Sequence, residues 1–237
     1  MIDKPLILWH FQPFDLLLKE FYLNTRCIIF DLDGTLVDSL PDLTNSMNYA
    51  MQYLNLPTHT PEEYLPMIGY GRYQFAQMAV PPEKIDLADK VLDLAWKHYE
   101  ENCCILTKPY PQIPDLVEKL KKTGFAMAVL TNKDQKTAEI ISKYYFGDET
   151  FKIIVGATRT TSPKPQPEAL WQILSDLNCP CENAVMVGDS EVDIQTGKNA
   201  KIRTIAVTWG FRSAKALREQ NPDKILDFPL EIIEAVN

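Results

Sequence analysis

Five short apolar runs recur along the chain, Cys27 to Phe30, Phe125 to Leu130, Lys152 to Val155, Ala184 to Val187 and Thr204 to Val207. Runs this short and this continuous read as strands buried on both faces, as in a parallel sheet. Between most of them the apolar positions take helical spacing. Ile113 to Leu120 runs toward Gly124, Lys133 to Tyr145 toward Gly147, and Glu168 to Leu177 begins behind Pro167, which are the start and stop signals of helices. Strand and helix alternating in this way predict a doubly wound α/β domain with a mainly parallel, Rossmann-like sheet.

The interval from about Leu40 to Lys108 is too long for one crossover helix. Pro41 to Leu54, Pro61 to Ala79 and Pro82 to Asn102 read as helices, the middle one broken at Gly69 and Gly71, so a small all-helical subdomain is expected inside the sheet domain. The expected organisation is an N-terminal extension over 1–25, an α/β core over 26–40 and 105–237, and a helical cap over 41–104. In the extension, Phe14, Leu17, Leu18 and Phe21 fall at i, i+3, i+4 and i+7 behind Pro13, which predicts an amphipathic helix over 13–23, packed on the core or, alternatively, serving targeting or a partner.

Composition narrows the function classes. At 237 residues, 46% hydrophobic and 24% charged, the chain is in the ordinary globular range, large enough to bury a core. A formal net charge of −8 without a basic block lacks the electrostatic footprint of a nucleic-acid binder. No apolar run approaches the roughly 18 residues of a membrane span, and no small-residue cleavage site follows a basic head, so a cytoplasmic protein without membrane partners is expected. The five cysteines (Cys27, Cys103, Cys104, Cys179, Cys181) lack C-x-x-C spacing and read as reduced, small apolar residues. His10, His59 and His98 match no motif and read as structural or solvated, and Trp96 and Tyr99, three apart on a helix, read as packing.

Candidate chemistry collects where apolar strands end. Phe30 is followed by Asp31, Leu130 by Thr131-Asn132, and Val187 by Gly188-Asp189. The carboxyl ends of strands in an open α/β sheet line the binding crevice, so these distant residues should converge. In Asp31-Leu32-Asp33-Gly34-Thr35 the two carboxylates, two apart on an extended strand, share one cavity while Leu32 faces the core. Such a pair suits metal-assisted or acid/base work, because the two charges repel unless a cation or an asymmetric environment separates them. Gly188-Asp189-Ser190-Glu191-Val192-Asp193 offers further carboxylates, and also a helix N-cap at Asp189 or Ser190. Asp31 and Asp189 at adjacent strand ends would give hard oxygen ligands to Mg2+. Lys164, held between Pro163 and Pro165, would offset their charge, bind a transferring phosphoryl group and keep the nucleophile ionised.

Taken in order, Asp31-Leu32-Asp33-Gly34-Thr35, Leu130-Thr131-Asn132, Lys164-Pro165 and Gly188-Asp189-Ser190 to Asp193 resemble the four motifs of the haloacid dehalogenase superfamily, over about residues 26 to 212. The helical insert, Thr131-Asn132-Lys133 and Lys164-Pro165-Gln166-Pro167 are most similar to its phosphoglycolate phosphatase group. The resemblance implies a Mg2+-dependent phosphatase of a small phosphorylated metabolite, acting as a monomer or homodimer through an aspartyl-phosphate. It makes Asp31 the nucleophile and Asp33 the general acid/base, gives phosphate oxygens to Thr131, Asn132 and Lys164, and places the metal on Asp31, the Asp33 backbone carbonyl and Asp189, with Asp193 behind. Thr35 and Ser190 are supporting candidates. The N-terminal 25 residues depart from the pattern, in which the first motif lies near the chain start.

Asp33 favours phosphate chemistry over dehalogenation, which has no need of a leaving-group acid there. A β-phosphoglucomutase-like mutase or a pyrophosphatase shares the same residues. A phosphoacceptor signalling module also has clustered aspartates, a Thr and a Lys, although the long insert and the Asp33 spacing argue against it, and a non-catalytic binding protein would retain the fold without turnover. Substrate choice is expected to come from the inserted helices, where Arg72 of Gly69-Tyr70-Gly71-Arg72 places a fork-shaped cation suited to a substrate carboxylate.

Overall fold

The structure, a computed structural model, describes residues 26–236. The extension over 1–25, with its expected helix and His10, lies outside the described residues. Strand β1, Cys27–Phe30, is buried throughout, and its side chains alternate between two cores. Ile28 and Phe30 join Leu116, Leu120, Ile141 and Ile232 on one face, and Cys27 and Ile29 join Leu170, Ile173 and Leu174 on the other. A strand covered on both sides has no use for alternating polarity, which is why it reads as an unbroken apolar run.

Parallel pairing sets β1 between β4, Ala126–Asp134, and β6, Ala184–Gly188. Beyond β4 lies β5, Ile153–Ala157, and beyond β6 lie β7, Arg203–Val207, and β8, Lys224–Leu226, giving the order β5-β4-β1-β6-β7-β8. All five pairings are parallel. The chain therefore winds outward from β1 on one side, then returns and winds outward on the other. This reversal puts the carboxyl end of β1 at the switch point where open α/β sheets form their crevice.

Between β1 and β4 the chain makes a two-stranded antiparallel ribbon of β2, Val37–Asp38, and β3, Lys108–Pro109. Four helices stand between these short strands, α1 Leu40–Tyr53, α2 Pro61–Tyr64, α3 Arg72–Ala79 and α4 Ala88–Asn102. Helix α4 buries Val91, Leu92, Ala95, Trp96 and Tyr99, a stripe at helical spacing, and α1 buries Leu43, Met47, Ala50 and Met51 in the same core. Each large apolar side chain so buried stabilises by about 1.5–3 kcal/mol. Where one broken helix was expected over Pro61 to Ala79, α2 gives way to a 3-10 turn at Leu65–Met67 and α3 starts only after Gly71. A 3-10 turn at Pro82–Leu87 likewise precedes α4.

The remaining helices are α5 Ile113–Lys122, α6 Gln135–Phe146, α7 Glu168–Asp176, α8 Glu191–Ala200, α9 Ala214–Glu219 and α10 Glu231–Val236. Among the described residues, no helix is long and apolar enough to cross a membrane. His59 and His98 have structural partners, the Ala79 carbonyl at 2.7 Å and the Ser46 hydroxyl at 3.0 Å.

Two expectations are corrected. β4 does not stop at Leu130, where its apolar residues end, but continues to Asp134, so Lys133 lies on the strand rather than opening α6. The ladder with β5 shifts register after Leu130 and is taken up again at Asp134 opposite Ala157, so the polar residues between them bulge along the strand, and Gly156 donates its N–H to Gln135 Oε1 at 2.6 Å. α6 then starts behind Asp134, whose Oδ1 accepts the Thr137 N–H, a capping bond that satisfies one free donor of the first turn.

Candidate active site

The polar residues that follow β1 and β6 and those that end β4 open onto one cleft, partly open to solvent. Asp31, Asp33, Thr131, Asn132, Asp189 and Arg72 all line it. Lys164 and Asp193 stand behind the cleft wall, in contact with Asp31 or with each other.

Asp31 is fixed by its first oxygen. Oδ1 accepts the Leu32 N–H at 2.7 Å and pairs with Lys164 Nζ at 2.9 Å, while Oδ2 has no hydrogen-bond partner among the described residues. Lys164 Nζ also reaches Asp193 Oδ1 at 2.5 Å. The other Asp193 oxygen accepts the Ser190 N–H at 3.0 Å and the Ser190 hydroxyl at 2.6 Å, so Asp193 ties the N-cap position of α8, Ser190, to the lysine. Asp189 accepts the Thr35 hydroxyl at 3.0 Å and the Phe211 N–H at 2.7 Å. Close approach here depends on Gly188 and Gly34, where a Cβ would overlap the side chains of Asp193 and Asp189 respectively. Gly34 also has a φ of +83°, which a side chain would strain.

Three buried carboxylates share this corner with one ammonium. Ligand oxygens of Asp31, Asp189 and Asp193 lie within 4.8 Å of one another. Burial, reinforced by the charge of Asp193 and opposed by Lys164, pushes the Asp31 carboxyl up to about 7. Burial and the charges of Asp193 and Asp31 push Asp189 up to about 8, against the hydrogen bonds from Phe211 and Thr35. Burial alone would lower the Lys164 ammonium, but the two aspartates outweigh it and raise it. Surplus negative charge on hard oxygens fits a divalent cation of the magnesium type.

Asp33 faces the same cleft in different company. Its carboxylate accepts the Ser39 hydroxyl at 2.6 Å and both its oxygens accept from Lys133 Nζ at 3.0 Å. Lys133 also donates to the Tyr99 hydroxyl at 2.7 Å. Sequence reasoning named Lys133 only within Thr131-Asn132-Lys133 and gave it no role, because the apolar run ends before it; Trp96 and Tyr99 pack in the core as their spacing suggests, and their polar contacts were not foreseen. Trp96 lines the cleft, and its indole N–H donates to Asp134 Oδ2 at 2.7 Å. Burial alone would raise the Asp134 carboxyl, but the bonds from Thr137 and Trp96 hold it low.

The amide of Asn132 is committed within the protein. Its Oδ1 accepts the Lys164 N–H at 2.8 Å, and its Nδ2 donates to the Gly69 and Lys164 carbonyls at 2.9 and 3.0 Å. Both amide hydrogens being used, the side chain braces the Lys164 loop. The Thr131 hydroxyl accepts the Lys133 N–H at 3.3 Å. The guanidinium carbon of Arg72 sits 5.5 Å from the Tyr73 ring and 5.8 Å from the Trp96 ring, without a carboxylate partner among the described residues. Arg212, also missed, donates to the Leu65 and Ile68 carbonyls at 2.9 and 2.7 Å and pairs with Glu191 at 3.1 Å. No motif marked it, since two of its partners are backbone groups far along the chain.

Comparison with known proteins gives the same pattern. Residues 28–207 match the family model for haloacid dehalogenase-like hydrolases. The chain is 32% identical over 212 residues to the phosphoglycolate phosphatase of Aquifex aeolicus, covering 90% of this chain and 97% of that one. With the phosphoglycolate phosphatase of Haemophilus influenzae strain Rd it is 32% identical over 215 residues, 86% and 96% of the two chains. A solved haloacid dehalogenase-like family hydrolase from Streptococcus pneumoniae superposes with a TM-score of 0.79 at 26% identity, covering 90% of this chain and 99% of that one.

Proposed function

The chain belongs to the haloacid dehalogenase-like hydrolase family, and from that premise we propose that it is a Mg2+-dependent phosphatase that hydrolyses a small phosphate monoester through a phosphoryl group carried on Asp31. The observation that carries this reading is the asymmetry of Asp31, with Oδ1 held by Leu32 and Lys164 and Oδ2 free beside the cleft. A nucleophile needs one oxygen fixed and one available.

In this mechanism Asp31 Oδ2 attacks phosphorus while Asp33 protonates the departing ester oxygen. Asp33 then takes a proton from the water that cleaves the phospho-aspartate. Asp31, Asp189 and the Asp33 backbone carbonyl would hold the metal, with Asp193 behind them. Magnesium, when bound, supplies positive charge against the phosphoryl oxygens. Lys164 keeps Asp31 in place and offsets its charge, Thr131 offers its hydroxyl to the phosphoryl group, and Asn132 braces the loop that presents Lys164.

The proposed organisation is a core over 26–40 and 105–237 and a cap over 41–104, the cap closing over the cleft and carrying Arg72. The names of the relatives point to phosphoglycolate as the substrate, and Arg72 is suited to its carboxylate. A cytoplasmic location is part of the same proposal.

The test is phosphate release from a panel of small phosphoesters that includes phosphoglycolate, with Mg2+ or with EDTA, for the wild type and Asp31→Asn. Turnover that requires both Mg2+ and Asp31 is expected. Turnover that survives either removal, or none on any ester, would refute the reading.

A further inference from the structure

Lys133 has no part in the mechanism above, yet its side chain, 1% exposed, reaches the edge of the cleft. Its ammonium has three hydrogens and three acceptors, the two Asp33 oxygens at 3.0 Å and the Tyr99 hydroxyl at 2.7 Å. None is left for a phosphate or a substrate. The Asp33 carboxylate receives these bonds together with the Ser39 hydroxyl at 2.6 Å, so its angle over the cleft is set by three donated hydrogens. Tyr99 lies on α4, between β2 and β3, whereas Asp33 follows β1. The lysine thus joins the sheet to the helices above it.

We infer that Lys133 is a positioning residue for the leaving-group acid, holding the Asp33 carboxyl at a productive angle and tying that angle, through Tyr99, to the placement of α4. The inference rests on the phosphatase reading, in which Asp33 carries the proton. As the bond from Asp31 Oδ2 to phosphorus forms and the bond from phosphorus to the ester oxygen breaks, the Asp33 proton passes to that oxygen and the alcohol departs neutral. In the second step Asp33 regains a proton from water, whose oxygen bonds to phosphorus as the bond to Asp31 breaks. Lys133 neither gives nor receives a proton. Its contribution is geometric, and general acid catalysis is sensitive to geometry before anything else.

A positioning role makes a selective prediction. Glycolate is a poor leaving group that must be protonated, whereas p-nitrophenolate departs without a proton. Because the phospho-aspartate is the same from either ester, the comparison is made on kcat/KM, which reports the step in which the alcohol leaves: Lys133→Met should lower it on phosphoglycolate by on the order of 100-fold, and on p-nitrophenyl phosphate by roughly tenfold less than that. Asp33→Asn gives the reference for complete loss of the acid, and Lys133→Arg should recover part of the loss. Tyr99→Phe removes one oxygen from the same chain of hydrogen bonds and should show the same preference at smaller size, which decides the matter if Lys133→Met does not fold. Equal losses of kcat/KM on the two esters overturn the inference while leaving the phosphatase reading intact. A wild type that turns over neither ester removes that reading and the inference with it.

Discussion

Asp31 and Asp189 sit where ionisation is costly, and this has a sign in the stability of the metal-free protein. Each carboxyl is raised in the folded state, to about 7 and about 8, so it binds its proton more tightly folded than unfolded. Their contribution is complete below the ordinary carboxylate range near pH 4 and is lost as pH rises through those two values. In EDTA the melting temperature should therefore fall between about pH 5 and about pH 8, by about 2–4 °C for each kcal/mol lost. Saturating Mg2+ should flatten the fall, since a cation binds the ionised site. Calorimetry across that range checks both, and a melting temperature in EDTA that rises with pH contradicts the electrostatic account. Arg72 makes a separate prediction. Its guanidinium lies near the Trp96 ring, whose N–H is fastened to Asp134, so it is held at the cleft with its charge unspent. A charge-assisted hydrogen bond contributes about 1.5–3 kcal/mol, or roughly 10- to 150-fold. Arg72→Met should lose that much kcat/KM on phosphoglycolate and little on ethyl phosphate, which replaces the carboxylate by a methyl group. Parallel losses on both substrates would remove Arg72 from substrate recognition.

At the scale of elements, the site depends on how closely α8 approaches β6. A methyl at Gly188 would overlap Asp193, the residue that holds Lys164 and accepts from Ser190 at the start of α8. Gly188→Ala should destabilise by about 1–3 kcal/mol through overpacking, and weaken Mg2+ by about 10- to 100-fold through loss of the support behind the ligands. Urea unfolding and titration calorimetry measure the two, and unchanged Mg2+ affinity would show that Asp193 does not act on the metal site. The same elements show what the sequence made legible. Asp31, Thr131 and Asp189 were found because each follows an apolar run, and β-sheet topology brings such ends together. Lys133 was given no role, because it lies on a polar extension of β4, within a register shift against β5 that no local pattern announces. β8 was also missed, since Lys224–Leu226 is too short to show a periodicity and is a strand only because β7 lies beside it. The committed amide of Asn132 is equally invisible to sequence, as its partners Gly69 and Lys164 come from two other segments.

At the scale of the molecule, the helices between β2 and β3, besides the bonds of Tyr99, Trp96 and Gly69 to β4, are held at their base and across the cleft mouth by contacts of different character. At the base, both linkers pass together through the β2–β3 ribbon, and the buried Asp42 carboxylate accepts the N–H groups of Leu106 and Thr107 and the Thr107 hydroxyl, at 2.8–3.0 Å. Asp42→Asn turns one acceptor into a donor among donors and should cost about 2–4 kcal/mol of global stability. At the far end, Arg212 donates to the Leu65 and Ile68 carbonyls and pairs with Glu191, which also accepts the Tyr70 hydroxyl at 2.5 Å. Those bonds cross the mouth of the cleft, where opening of the helices would break them without unfolding the core. Arg212→Ala should therefore act locally, increasing amide hydrogen exchange over 65–71 by about tenfold for each 1.4 kcal/mol that the Arg212 bonds contribute. Asp42→Asn should lower the denaturation midpoint while leaving the difference in exchange between 65–71 and the sheet largely as it was. Exchange mapped by mass spectrometry separates the two. If Arg212→Ala raised exchange throughout the sheet as much as over 65–71, Arg212 would be part of the common core, and closing of the helices over the site would have to depend on Asn132 and its bond to the Gly69 carbonyl.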